Sequence, residues 1–113
     1  MNNSTYPSIA LNDGKGLTFI HGKDILYCIS EGGHTHLHLT DGSVVTVSKK
    51  LKEVGALLID PAFVRVHHSH IINLAHSTRF VNNQMNYVLM NNGEKLSVSR
   101  TRKAELLNRF TKL

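Results

Sequence analysis

Phe63-Val-Arg-Val-His-His-Ser-His-Ile-Ile-Asn73 is the stretch on which the reading of this 113-residue chain turns. Its apolar members, Phe63, Val64, Val66, Ile71 and Ile72, can anchor a strand and its continuation in a core. Arg65, His67, His68, Ser69 and His70 are then left to compete for the surface. The segment is rigidly held and polar along its exposed edge, which suits a grip on a polyanion at fixed register. Donors to phosphate would set position and a few side chains would read base edges. Asn73 closes the run, where an asparagine satisfies backbone groups of a local turn.

Outward from this stretch the chain reads as short runs cut by turn residues. Met1 to Gly16 is polar and turn-rich, with Pro7, Asp13-Gly14 and Gly16, and reads as a flexible N-terminal tail or linker; the domain is expected over residues 17–113. Strands are expected at Leu17–His21, Asp24–Ser30 and Thr35–Leu39, with Asp41-Gly42 as a two-residue hairpin turn into Ser43–Val47. Leu51, Val54, Leu57 and Leu58 recur at helical spacing within Lys50–Leu58, with Ser48 as the expected cap. Strands resume at Phe63–Val66, Thr78–Val81, Tyr87–Met90 and, after Asn92-Gly93, Lys95–Val98. Ser99 is the expected cap of a final helix with an apolar stripe of Leu106, Leu107, Phe110 and Leu113. Many short strands and two short helices predict a mostly antiparallel β domain.

At this length one domain can bury a core without disulfides. Cys28, the single cysteine, lies in the apolar run Ile25-Leu-Tyr-Cys-Ile29 and reads as a buried, inert thiol. With no signal peptide and no long apolar stretch, the expected location is the cytoplasm. The formal charge is +5, and from Lys95 to Leu113 six cations (Lys95, Arg100, Arg102, Lys103, Arg109 and Lys112) face one acid, Glu105. The excess is therefore local to the C-terminal end, the footprint of a nucleic-acid or acidic partner.

Taken in order, Asp24-Ile-Leu-Tyr27, Ser30-Glu-Gly-Gly-His34, the Leu51-Lys-Glu-Val54 helix, the Phe63–Asn73 string, Asn92-Gly93 and Leu96-Ser-Val-Ser-Arg100 resemble the LytTR family of bacterial DNA-binding domains. The resemblance runs from about Leu17 to Leu113. It implies elongated antiparallel β-sheets with two short helices, whose loops enter successive major grooves. It also implies the output domain of a response regulator acting on promoter repeats, hence double-stranded DNA with repeated half-sites, on which a homodimer is one open arrangement. Members usually follow a receiver domain, for which there is no room before Leu17. By the same resemblance, His34, Thr35 and His36 form a first contact loop, His68 takes the variable position of the His-x-Ser string, and Arg100 opens the last helix. Arginine can bind guanine O6 and N7 together, so Arg100 is the leading base reader. Lys49, Lys50, Lys52, Ser69, Arg102 and Lys103 are candidate phosphate contacts, with helix N-terminal amides as further donors.

Eight histidines raise the question of a metal. His34, His36 and His38 alternate along one strand, but positions four apart lie about 13 Å apart and cannot share an ion. No Cys-x-x-Cys or His-Glu-x-x-His is present to complete a site, so neither metal nor other cofactor is expected. The histidines read as the polar face opposite Leu37 and Leu39, and a histidine-rich contact surface should bind DNA more tightly as pH falls. No nucleophile with a base, paired carboxylates or cofactor loop points to an enzyme. Ser69 lies between His68 and His70, but neighbours on an extended chain point to opposite faces. The competing class is a non-enzymatic, histidine-rich module that binds a protein or an acidic polymer.

Overall fold

The computed structural model describes residues 8–113. Strand β3 (Ile25–Glu31) is apolar over its first five residues, the pattern of a strand covered on both faces. It lies at the centre of a five-stranded antiparallel sheet of order β5-β4-β3-β7-β6, with β4 at His34–Leu39, β5 at Val44–Val47, β6 at Phe63–His67 and β7 at His70–Asn73. On one face Ile25, Cys28, Leu37 and Ile71 pack against hairpin β1–β2 (Ser8–Asn12 and Leu17–His21) and helix α1 (Leu51–Leu57). On the other, Tyr27, Val64, Val66 and Ile72 meet a three-stranded sheet and helix α2 (Lys103–Leu107). That sheet has the order β10-β9-β8, from Lys95–Ser97, Asn86–Met90 and Ser77–Asn82. A bulge between Ile25 and Tyr27 places Leu26 and Tyr27 on the same side.

The mostly β architecture with two short helices is the one expected, and several local features differ. The tail reading fails for Ser8–Asn12, which pair in full with β2 and bury Ile9 and Leu11 in the core; Met1 to Pro7 lie outside the described residues. Phe63–Asn73 is a hairpin rather than a strand with a continuation: His67 pairs with His70 around a His68-Ser69 turn. Asp41-Gly42 and Asn92-Gly93 serve three-residue loops, closed by Leu39 N–H to Ser43 C=O and by Met90 N–H to Glu94 C=O. Gly42 and Gly93 sit at φ +87° and +89°, the left-handed position such loops require.

The expected caps also differ. Lys50 is the N-cap of α1, where the Glu53 carboxylate accepts its N–H at 3.1 Å; this turns an acid onto the amides expected to attract phosphate. Within α1, an added Cβ at Gly55 would meet Ile71 Cδ1 at 3.1 Å, so the missing side chain lets the helix lie close on β7. Arg102, not Ser99, caps α2. Of the expected C-terminal stripe only Leu106 is buried; Phe110 and Leu113 are exposed. Cys28 is buried without a disulfide, and burial pushes its thiol up to about 12, in line with an inert role. Among the described residues no helix is long and apolar enough to cross a membrane.

Candidate nucleic-acid interface

Four connections emerge at one edge of the five-stranded sheet. The β3–β4 turn is closed by the pairing of Glu31 with His34, and Gly32 and Gly33 both adopt positive φ, as a tight two-residue turn needs. The β6–β7 turn lies beside it, because the Ser30 N–H donates to the Ser69 carbonyl at 2.9 Å. Thr35 pairs with Val47, so Ser48–Lys50 leaves β5 at the same edge. The Ser99 N–H donates to the Val66 carbonyl at 2.8 Å, which docks the Ser99–Arg102 turn against the end of β6.

The His68-Ser69 turn contains no glycine and has no positive φ, so its shape depends on side chains. His67 Nδ1 accepts the Ser69 N–H at 3.1 Å, and the Arg65 guanidinium donates to the carbonyls of His67 and His68. His70 Nδ1–H donates to the Ser97 carbonyl at 3.1 Å, tying this hairpin to β10. His68 is exposed, its ring against that of His67 with centroids 4.4 Å apart. Burial, and then the nearby Arg102, oppose the charge of Arg65. Neither arginine is paired with a carboxylate among the described residues.

The structure sorts the sequence-predicted residues. Arg100, His34, Lys49, Lys50 and Lys52 are exposed, while Ser69 and Arg102 are half-buried at the edge. Thr35 is corrected: it is fully buried and its hydroxyl donates to the Lys49 carbonyl at 2.7 Å, so it pins the β5–α1 connection and cannot reach a base. His36 is half-buried with both nitrogens engaged, Nε2 to Glu31 Oε1 at 3.0 Å and Nδ1 to the Thr46 hydroxyl at 2.7 Å. It holds the turn and offers no free donor. Lys103 is turned onto the Phe80 ring, 5.8 Å from its centroid, and does not join the edge cations. Arg109 bonds the Pro61 carbonyl, before the start of β6 and so at the far end of the sheet; the C-terminal charge run is thus split by the fold.

Sequence reasoning missed the β1–β2 turn. Asn12, Asp13 and Gly14 line a cleft of about 520 Å³ shared with His34, Thr46, Ser48 and Lys49, next to the candidate edge. The alternation of Ile9 and Leu11 ahead of Asn12-Asp13-Gly14 was the available signal. Among the described residues no group of three or more His, Cys, Asp or Glu is placed to hold a metal.

Two imidazoles are held below their ordinary value of 6.5. His38 is desolvated against Tyr27, its ring 4.6 Å away, with His36 adding to the effect. His67 is lowered by desolvation, then by His70, His68, Arg102 and Arg65. Above about pH 6.5 both are neutral folded and unfolded, so their contribution to stability is complete. Below it the unfolded chain binds protons the folded chain resists, and stability falls. Urea midpoints are expected to drop from pH 7.5 to pH 5.5, with a shallower drop in His38→Gln; an unchanged slope in that variant would remove His38 from the account. The carboxylates of Asp13 and Asp41, lowered by hydrogen bonds from Thr18 and Ser43, lose their contribution only below about pH 3.8 and leave this window clear.

The fold is an antiparallel β domain whose turns carry cations at one edge, where α1 and α2 also begin. Residues 15–111 match the LytTr DNA-binding domain, and the chain belongs to that family. It is 35% identical over 101 residues to the sensory transduction protein LytT of Bacillus subtilis (strain 168), covering 87% of this chain and 41% of that protein. The chain thus spans about two fifths of that relative. A solved LytTr DNA-binding domain from Bacillus cereus has the same fold, with a TM-score of 0.76 and 21% identity over 89% of this chain and 94% of the other.

Proposed function

We propose that this edge binds double-stranded DNA sequence-specifically, as the output element of a bacterial response regulator whose turns enter successive major grooves. The observation that carries the reading is the convergence of the β3–β4, β6–β7 and Ser99–Arg102 turns with Ser48–Lys50 on one edge. There Arg102 lies near enough to oppose the charge of Arg65, and neither has a carboxylate partner among the described residues, an arrangement that a phosphate relieves. The longest dimension of the domain, 43 Å, exceeds the roughly 34 Å between successive major grooves on one side of a duplex.

In this reading Arg100, His68 and His34 meet base edges, and Lys49, Lys50, Lys52, Ser69 and Arg102 meet phosphates. His36 and Thr35 shape the first contact turn. Repeated half-sites, a homodimer on DNA and a receiver domain coupled to this one belong to the same proposal. Two linked modules would gain affinity through their combined contacts.

The test is a titration of varied duplexes at several salt concentrations with competitor DNA. Neutralising about four to six phosphates gives a log-log salt slope of about −4 to −5, and specific binding survives the competitor. Equal affinity for every duplex and for heparin would replace this reading with that of a general polyanion binder.

A further inference from the structure

Strand β8 and helix α2 enclose a second cleft, which runs along β8 from Ser77 to Asn82. Its residues Leu74 and Ser77 follow the end of β7 opposite the His68-Ser69 turn. Its volume is about 530 Å³, within the roughly 300–1,000 Å³ of small-ligand sites. The walls are apolar, from Leu74, Phe80, Val88, Leu107 and Phe110, and buried Leu106 joins them from α2. Phe110 remains 46% exposed although it forms part of a concave wall, so an aromatic face meets water where a ligand could cover it.

The charged residues that line this cleft are of one sign. Arg79 and Lys112 line it, Lys103 stands over the Phe80 ring, and no Asp or Glu is among the lining residues. An apolar interior with a positive rim complements an apolar body carrying an anionic head. A cationic amphiphile would be repelled there, and a second copy of this chain carries a net charge of the same sign, +5. A DNA duplex has no apolar group of the right shape to enter.

We infer that the cleft between β8 and α2 binds a small amphipathic anion, such as a medium-chain or aryl carboxylate, with its carboxylate on Arg79 and its apolar body against Phe80, Leu107 and Phe110. The site is independent of the DNA-binding reading and is tested without DNA. Decanoate, below its micellar concentration, is titrated into the 15N-labelled protein and followed by amide chemical shifts. Saturable shifts confined to Phe80, Leu107, Phe110 and their neighbours are expected. Arg79→Ala should weaken binding about tenfold, the scale of one charge-assisted hydrogen bond. Phe110→Ser, at a half-exposed position outside the core, should weaken it while leaving the rest of the spectrum in place. Decyltrimethylammonium should bind at least about tenfold more weakly than decanoate. Equal binding of the cation, or shifts spread equally over exposed Phe19 and Ile59, would overturn the assignment.

Discussion

Asn73→Ala is expected to lower the free energy of unfolding by about 2–4 kcal/mol, seen as a reduced urea midpoint at unchanged m value. The side chain is fully buried and joins two distant pieces of backbone. Nδ2 donates to the Ile25 carbonyl at 3.0 Å, 48 residues away, and Oδ1 accepts the Ala75 N–H at 3.0 Å. The β3–β7 pairing runs only from Tyr27–Ile72 to Ile29–His70. Beyond it, at the β3 bulge, the Asn73 amide takes the place of a ladder partner. Alanine leaves the Ile25 carbonyl buried without a donor, the costly case for a hydrogen bond. Asn73→Asp separates the two roles. An aspartate would still accept from Ala75, and is a good cap in its own right, but it cannot donate to Ile25 and brings a buried charge. It should cost at least as much as alanine. Near-native stability of the aspartate variant would reduce Asn73 to a local cap.

Asn73 also marks how far the sequence could be read. Its local bond to Ala75 follows from an asparagine after an apolar run; its bond to Ile25 depends on a strand pairing that no local pattern announces. The neighbouring hairpin shows the same limit. A turn at His68-Ser69 lacks the glycine, asparagine or aspartate that signals one, and it exists because Arg65 and His67 bind its backbone. By contrast, the loops at Gly42 and Gly93 were visible in Asp-Gly and Asn-Gly, with only the length of the first misjudged. Two errors were avoidable from period alone. Thr35 shares the parity of Leu37 and so belongs to the buried face, opposite His34 and His36. Ile9 and Leu11 alternate as a half-buried strand does, within a stretch whose turn residues suggested a tail. The C-terminal charge run was real in sequence but not in space. Lys103 goes to Phe80 and Arg109 to Pro61, leaving Arg100 and Arg102 at the edge.

Those two arginines are chemically alike and are expected to fail differently. Arg102 is half-buried beside Arg65 and His67, where its approach is fixed and its field adds to theirs; this suits a phosphate. Arg100 is exposed in the turn set by Ser99 N–H on Val66 and Arg102 N–H on Ser99, and forms no ion pair among the described residues. Its guanidinium can therefore present a planar fork to a guanine. Arg100→Ala should cost about 1–3 kcal/mol in DNA affinity and flatten the preference at one base pair, read by selecting bound duplexes from a random library. Arg100→Lys is the sharper variant. It keeps the charge and so the salt slope, but loses the two parallel hydrogen bonds, so preference should fall while non-specific affinity holds. Lys52→Ala, at an exposed site on α1, should instead weaken all duplexes alike and reduce the salt slope by about one. If Arg100→Ala behaved like Lys52→Ala, weakening every duplex with the selected sequence unchanged, Arg100 would be a phosphate contact. Base reading at this edge would then rest on His68 and His34, whose shorter side chains need closer approach of the two neighbouring turns to the groove floor.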